Sequence, residues 1–510
     1  MNSSFFSRTG FTRGVALSLL AMMAGVCLMS FFAFSRQSLR LDEAQSLWQT
    51  SHSLSAMMKI VGEDVHVPLY HTLLHFWQFF LGNSVEVARI LSLLFFLCSI
   101  PALYFLGASL YGARAGLFAS LLFTVSPFMN WYGNEIRMYS LYTFLAILNH
   151  YFFVHLYRSK EGRGPWLLYA LTAVLGVYTH YFFVFVLLAQ VFFFFTHRSI
   201  FPKDAFRKFL VTALIVVIAF SPWLWWVYSL GGASNERPLI AAPTTSNLFN
   251  TFSQFLFGFQ DDHINSILLS FWPISVLLAF LALRRGVTLS PDTEYFLTAF
   301  LVPIIAAFGI SFIFQPIYLT RYLIMAIPPL YLCLAALMEA YPDKLRSLIR
   351  GILIVAMVGM LALEVVSAAT PVKENYRDVA DYLQHYALPE DVVVASAPFT
   401  IYPLEYYYQG PSTIDTLPLW DRSKTGAIPA FSEDRLPTEI SQIKENHVVL
   451  WLVLSYDQGY EHAISTYFDA HYERLLAKNF SPGLNLYAYK LRYDTNRTFP
   501  FSTTTPATVH

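Results

Sequence analysis

Residues 165–197 read PWLLYALTAVLGVYTHYFFVFVLLAQVFFFFTH, an apolar stretch that contains no Asp, Glu, Lys or Arg. A membrane-spanning helix needs about 20 apolar residues, so this stretch forms either one very long helix or two shorter ones. We divide it at Tyr178-Thr179-His180-Tyr181. A single helix would invert the predicted orientation of every later element, so the topology of the chain depends on this division.

The composition predicts a membrane protein. Of the 510 residues, 56% are hydrophobic and 13% are charged, whereas soluble domains are roughly 45–50% apolar and about 25% charged. The 33 basic and 33 acidic residues cancel, so the net charge gives no indication of a nucleic-acid partner. Cys27, Cys98 and Cys333 lie in apolar runs without paired spacing, which indicates packing residues and not a disulfide or zinc framework.

Apolar runs elsewhere in the chain predict further spans. The run Val15–Phe34 follows a basic N-terminus as in a signal peptide, but it is too long for one and should remain as the first helix. In total we expect eleven spans, near residues 12–34, 86–108, 114–130, 138–157, 165–179, 181–197, 209–229, 265–283, 295–314, 320–340 and 348–369.

The distribution of Lys and Arg predicts the orientation of these spans, because short cytoplasmic loops collect positive charge. With an inner N-terminus, the inner connections hold basic groups such as those at 198–208 and 344–350, and the outer connections hold few. The bias favours the division near His180. It places the segment after Ser367 outside, in the periplasm if the chain lies in a bacterial inner membrane.

The composition becomes that of a soluble domain near Pro371. The pattern predicts helices at Glu374–Tyr386 and Ile464–Ala477 and strands at Val392–Ala395, Val448–Leu454 and Leu486–Leu491. We therefore expect two domains: residues 1–370, a polytopic helical membrane domain with a first outer loop at about 36–85, and residues 371–510, an extracytoplasmic α/β domain.

The first outer loop carries the strongest candidates for chemistry. Asp42-Glu43 directly follows the first span, and ionisable residues so close to a membrane are functional candidates. The alternative is that these two acidic residues have no functional role and simply face water at a helix end. Further on, Asp64 and His66 precede Pro68, a residue that favours the first turn of a helix.

Three other outer connections each contribute ionic or aromatic groups. The second contains Glu135, Arg137 and Tyr139, which a local ion pair at a helix end would also explain. The third contains His180, a candidate headgroup anchor, and the fifth contains Arg321-Tyr322, where a lone Arg could reach lipid phosphates. Because Arg suits phosphate and a carboxylate can take a proton from a hydroxyl, the set predicts a site for an anionic, lipid-borne substrate.

At these residues the chain resembles the GT-C glycosyltransferases, specifically the family-39, protein O-mannosyltransferase-like group and the similar aminoarabinose transferases of lipid A. The resemblance rests on motifs that occur in family order: Leu41-Asp42-Glu43-Ala44, Asp64-x-His66-x-Pro68-Leu69, Ser126-Pro127-Phe128 leading to Tyr132-x-x-Glu135-x-Arg137-Met138-Tyr139, Thr179-His180-Tyr181, and Arg321-Tyr322 with Pro328-Pro329. Val67 replaces the usual first Pro, and Gly133-Asn134 replaces Ser-Gln.

The resemblance implies that a sugar on a polyprenyl phosphate is transferred to a hydroxyl at the outer face, with inversion. It implies that Asp42 is the general base and that Glu43 and Asp64 position the acceptor or the base, while His66 orders the loop. The resemblance also implies that the donor phosphate is bound by Arg137, Arg321 and His180. Glu135, Tyr139 and Tyr322 would support them.

Such a reaction needs no nucleotide cofactor, and no GxGxxG or P-loop occurs. A divalent metal is possible but not indicated, since Asp261-Asp262-His263 is more simply a solvated acid pair. The acceptor is a glycolipid, a glycan or a protein, and the membrane lipids are partners. The alternatives are a secondary transporter or flippase, a non-catalytic assembly or sensor protein, and a ligase for whole oligosaccharides.

Overall fold

The computed structural model describes residues 10–64, 66–158, 163–231, 240–261, 263–270, 289–339, 341–367, 371–422, 428–445 and 447–492. The helices are α1 (Arg13–Arg36), α2 (Leu41–Thr50), α3 (Leu54–Glu63), α4 (Pro68–Leu81), α5 (Val85–Tyr111), α6 (Ala113–Val125), α7 (Pro127–Gly133), α8 (Tyr139–Arg158), α9 (Arg163–Thr179), α10 (Phe183–Thr196), α11 (Ala205–Ser229), α12 (Thr245–Phe257), α13 (Pro291–Ile313), α14 (Ile327–Met338), α15 (Asp343–Val366), α16 (Tyr376–Tyr386), α17 (Ile401–Tyr407), α18 (Leu436–Lys444) and α19 (Glu461–His471). The strands are β1 (Val392–Ser396), β2 (Thr413–Thr416), β3 (Val449–Ser455), β4 (Glu473–Ser481) and β5 (Leu484–Lys490).

The described residues form two compact units. The first contains residues 10–35 and the described parts of 52–367, and the second contains residues 36–51 and the described parts of 371–492. The helix α2, which carries Asp42 and Glu43, therefore belongs to the same unit as the C-terminal sheet.

The first unit is an assembly of apolar helices, as an integral membrane protein requires. Six helical segments of the described chain are long and apolar enough to cross a bilayer: Arg13–Phe34, Val85–Tyr111, Ala205–Ser229, Pro291–Ile313, Thr320–Met338 and Asp343–Val366. The apolar helices α6, α9 and α10 are shorter. The total of eleven spans stays a prediction, and residues 271–283 of the expected span 265–283 lie outside the described residues.

The division of the stretch 165–197 is confirmed. Helix α9 ends at Thr179 and α10 begins at Phe183, so His180 lies in the short connection between them. The prediction that Pro68 begins a helix is also confirmed, since Pro68 occupies the first turn of α4.

Close helix packing in the first unit depends on two glycines. A Cβ atom on Gly107 of α5 would lie 2.9 Å from the Cα atom of Gly116 in α6, and one on Gly116 would lie 2.7 Å from the Tyr104 carbonyl oxygen. Small residues allow helix backbones to approach closely in this way. The contact fixes α5 against α6, and α5 also packs against α8.

A buried polar network joins four helices of the first unit. The Gln190 side-chain amide donates to Asn149 Oδ1 at 2.7 Å and to Tyr295 Oη at 3.2 Å. His150 Nδ1 lies 2.6 Å from Tyr295 Oη, and the Asn149 amide donates to Thr172 Oγ1 at 3.0 Å. Hydrogen bonds of this kind connect helices where water is excluded, so the network holds α8, α9, α10 and α13 together.

The second unit contains a five-stranded sheet in the order β2-β1-β3-β5-β4. Strand β1 runs parallel to β2 and β3, whereas β5 is antiparallel to β3 and β4. Every residue of β1 and β3 is buried, as expected for strands covered on both faces. On one face, Val394 and Leu452 share a core with Ile440 of α18 and Phe468 of α19.

The predicted α/β class of this unit is confirmed, but the predicted helix Ile464–Ala477 is wrong in its second half. Helix α19 ends at His471, and Glu473–Ser481 forms strand β4. Strand β4 lies at the edge of the sheet and is mostly exposed, so the apolar alternation that would identify it is weak.

The acid Glu461 makes the stability of the second unit depend on pH. Burial, with the negative charge of Asp457, raises the pKa of Glu461 from 4.5 to about 7. Since the folded state holds this proton more tightly than the unfolded state, the stability contribution should fall as the pH rises from 4.5 to about 7. We expect Glu461→Gln to flatten the dependence of the thermal unfolding midpoint on pH in this interval.

The matched control is Glu433→Gln, which changes an exposed acid of the same unit and should retain the wild-type pH dependence. Equal curves for Glu461→Gln and the wild type would refute the assignment to Glu461.

Candidate functional site

Two residues from distant parts of the sequence meet in the first unit. Arg137 Nη2 lies 2.8 Å from His66 Nε2, and both residues are buried, with exposed fractions of 4% and 6%. Arginine can only donate hydrogen bonds, so His66 Nε2 accepts this one. The neutral imidazole of His66 then carries its proton on Nδ1.

The segment that carries Arg137 is fixed by hydrogen bonds of the preceding helix. Ser126 Oγ accepts the Met129 N–H at 3.2 Å at the start of α7, and the Asn130 side-chain amide donates to the carbonyls of Thr124 and Ser126 at 2.8 Å. After α7, the Arg137 N–H donates to the Glu135 carbonyl at 2.7 Å. The Arg137 side chain therefore projects from a tightly constrained turn.

The His66 segment is held from several sides. Tyr181 Oη donates to the His66 carbonyl at 3.4 Å, and the Trp223 indole donates to Tyr181 Oη at 3.2 Å. Asp64 Oδ2 lies 3.6 Å from His66 Nε2, which is too far for a hydrogen bond. The predicted role of Asp64 and His66 in ordering this loop is compatible with these contacts.

A second histidine, His71, stacks on His66 with ring centroids 5.6 Å apart. Burial, followed by the neighbouring His66 and Arg137, lowers the pKa of His71 to about 3. The ring is therefore neutral at physiological pH. No sequence motif indicates His71, because a lone His on a helix usually packs without a ligand.

His180 lies in the same cluster. Its ring stacks on Tyr142, with centroids 4.9 Å apart, and Tyr322 lies 5.1 Å away. Burial, followed by the neighbouring His66, Arg137 and Arg321, lowers the pKa of His180 to about 3. Because the Phe182 N–H donates to His180 Nδ1 at 3.1 Å, the neutral ring carries its proton on Nε2 and can donate there.

The remaining predicted residues of the first unit lie around this cluster. Arg321 and Tyr322 belong to the 3₁₀ segment Thr320–Ala326, and the Arg321 guanidinium lies 5.6 Å from the Tyr322 ring. Tyr139 is buried, 6.4 Å from the His180 ring. Glu135 is also buried. We call His66, His71, Arg137, His180 and Arg321 the arginine–histidine cluster.

This cluster combines two permanent positive charges with neutral imidazoles that can donate hydrogen bonds. Such a set suits an anion with several oxygens, since guanidinium groups bind phosphate through paired N–H donors. The described residues include no group of three or more His, Cys, Asp or Glu placed to hold a metal ion. Asp262 of the Asp261-Asp262-His263 group lies outside them.

Asp42 and Glu43 lie in the second unit, in the first turn of α2. Glu43 is buried, and its carboxylate accepts the Arg40 N–H at 3.0 Å. Glu43 therefore caps the helix on which Asp42 lies. Asp42 is partly exposed.

Gly133 lies against a buried aromatic ring. A Cβ atom at Gly133 would lie 2.5 Å from Phe96 Cδ1, and Phe96 is fully buried. We expect Gly133→Ala to destabilise the protein by about 1–3 kcal/mol, the usual effect of overpacking, measured as a lower thermal unfolding midpoint in detergent. In the control Gly309→Ala, the new Cβ atom has no neighbour within 4 Å, so equal midpoints for the two variants would contradict the steric explanation.

Comparison with known proteins finds one match to a sequence family and several matches to solved structures. The sequence profile of the dolichyl-phosphate-mannose-protein mannosyltransferase family matches residues 65–226. This region includes His66, His71, Arg137 and His180. No curated protein sequence matches the chain significantly.

Solved structures match over most of the chain. ArnT from Cupriavidus metallidurans in the apo state is 12% identical, with a TM-score of 0.63 over 93% of this chain and 98% of ArnT. The same protein bound to undecaprenyl phosphate gives 12% identity and a TM-score of 0.60 over 92% and 97% of the two chains. At this identity the comparison shows a shared fold.

Proposed function

We propose that this chain, a membrane glycosyltransferase of the GT-C fold, transfers a sugar from a polyprenyl-phosphate donor to an acceptor hydroxyl at the outer face of the membrane. The observation that carries the proposal is the arginine–histidine cluster, in which Arg137 contacts His66 and the charges of Arg137 and Arg321 act on the buried His180. The ArnT structure bound to undecaprenyl phosphate supports a lipid phosphate as the ligand.

The cluster binds the donor phosphate in this proposal. Arg137 and Arg321 supply charge and paired donors, and His180 Nε2 supplies a neutral donor. As the bond between the anomeric carbon and the phosphate oxygen breaks, its electron pair passes to that oxygen. Preorganised donors then stabilise the developing charge on the leaving polyprenyl phosphate. Tyr139, Tyr322 and Glu135 support the ligands.

Asp42 is the general base. The acceptor oxygen forms a bond to the anomeric carbon on the side opposite the phosphate, and Asp42 takes the proton of the hydroxyl, so the configuration inverts. Glu43 keeps the first turn of α2 in place, and Asp64 and His66 order the loop around the acceptor. The acceptor is a glycolipid, a glycan or a secreted protein.

The test uses the purified chain in detergent with a series of polyprenyl-phosphate sugars and hydroxyl acceptors, and it follows the release of free polyprenyl phosphate. Acceptor-dependent release with inverted product supports the proposal. Tight donor binding without release, across all donors and acceptors, would refute transfer and favour a transporter or flippase.

A further inference from the structure

The segment that leads into α2 is bound to the C-terminal sheet domain. The Leu39 N–H donates to Tyr407 Oη at 2.9 Å. Ser38 Oγ donates to Asn375 Oδ1 at 3.3 Å and accepts the Arg377 N–H at 3.3 Å. Three hydrogen bonds therefore connect two residues before α2 with residues more than 330 positions later in the chain.

The far end of α2 is held by an arginine between two aromatic rings. Trp48 and Tyr402 have ring centroids 5.1 Å apart. The Arg422 guanidinium lies 5.1 Å from each ring and forms an ion pair with Glu405. A cation over aromatic faces is attracted by both rings, so Arg422 fixes Trp48, and with it α2, to the domain.

Tyr456 and Glu374 lie near the first turn of α2. Tyr456 Oη donates to the buried Glu374 carboxylate. Burial raises the pKa of the Tyr456 hydroxyl, and the neighbouring negative charges of Glu374 and Asp42 also raise it. Tyr456 directly follows β3 and has a φ of 57°. A bulky side chain rarely adopts this left-handed conformation, and such strain is often retained where it places a functional group.

We propose that the C-terminal α/β domain positions Asp42 for catalysis, with Arg422 clamping the Trp48 end of α2 and the hydrogen bonds of Ser38 and Leu39 fixing the segment that enters its first turn. The inference rests on the proposed function, in which Asp42 is the base. It gives the domain a role in the chemical step that does not require it to touch the sugar donor. Arg422 is a positioning residue.

Positioning of this kind affects turnover more than donor binding. A misplacement of about 1 Å from a mutation far from the chemistry can cost about 10²-fold in rate. We therefore expect Arg422→Ala to lower kcat by about 10- to 100-fold and to leave the donor KM unchanged. Arg422→Lys keeps a cation over the rings and should recover part of the loss.

Hydrogen exchange of the full-length protein measures the clamp without reference to activity. Peptides that cover residues 41–50 should exchange faster in Arg422→Ala, because α2 then opens more often. The matched control is Arg474→Ala, which removes the same side chain from an ion pair with Asp469 on the same domain. The control should leave both the exchange of these peptides and kcat at wild-type values.

Unchanged exchange in Arg422→Ala would refute the clamp. Faster exchange with unchanged kcat would refute positioning while leaving Asp42 as the base. If Arg422→Ala does not fold, Trp48→Leu tests the same contact from the helix and must give the same two effects. Full activity of Asp42→Asn would instead exclude Asp42 as the general base. The hydrogen-exchange measurement would still show whether the domain holds α2.

Discussion

The Asp42→Asn variant should release polyprenyl phosphate about 10²–10⁴-fold more slowly than the wild type, the usual contribution of a general base. The amide has the size of the carboxylate but cannot take the proton of the attacking hydroxyl. The helix cap should survive the substitution, because the Arg40 N–H bonds to Glu43. Single-turnover release from a saturating donor measures the chemical step directly.

The control for this variant is Asp434→Asn, an exposed acid of the same unit. It should release at the wild-type rate, and both variants should have wild-type unfolding midpoints. An active Asp42→Asn protein would exclude Asp42 as the base and leave the phosphate ligands as a separate question.

The Arg137→Gln variant should bind undecaprenyl phosphate weakly and lose about 10²–10³-fold in rate, the typical effect of removing one preorganised donor to a developing anion. Its guanidinium contacts His66 and adds to the positive charge that acts on His180. Arg137→Lys should restore little of the lost binding or rate. An ammonium group lacks the planar fork of donors that could reach both the phosphate and His66. Binding of undecaprenyl phosphate to the detergent-solubilised protein gives the Kd.

Arg114→Gln is the matched control, because it removes the same charge from an exposed position at the start of α6. Its Kd and rate should equal those of the wild type. Equal binding by Arg137→Gln and the wild type would remove Arg137 from the phosphate site.

The central elements of the fold were predictable from the sequence and the peripheral ones were not. Strands β1 and β3 appear as apolar runs because both of their faces are covered, and β5 alternates between buried and partly buried residues. Strands β2 and β4 form the two edges, where many side chains are exposed, so their sequences show no buried face. For the same reason the apolar positions after His471 predict a continuation of α19 and not the edge strand β4.

The residue types of the candidate site were predictable, but their partners were not. Ionic residues in outer connections identified Arg137 and His180. The stacking of His71 on His66 depends on how α4 packs, and neither local spacing nor charge encodes it. The inclusion of α2 in the second unit was unpredictable as well, because Trp48 and Arg422 meet only through long-range packing.

The hydrogen bond between Leu39 and Tyr407 spans 368 positions, which sets an order of events during synthesis. At about 5–20 residues per second, α2 leaves the ribosome on the order of tens of seconds before the strands that will bind it. Until then Trp48 and the buried face of α2 lack their partners in the sheet domain. A ribosome that stalls before residue 371 would therefore leave a membrane-inserted chain in which the normally buried face of α2 is uncovered, a natural target for chaperones or quality-control proteases.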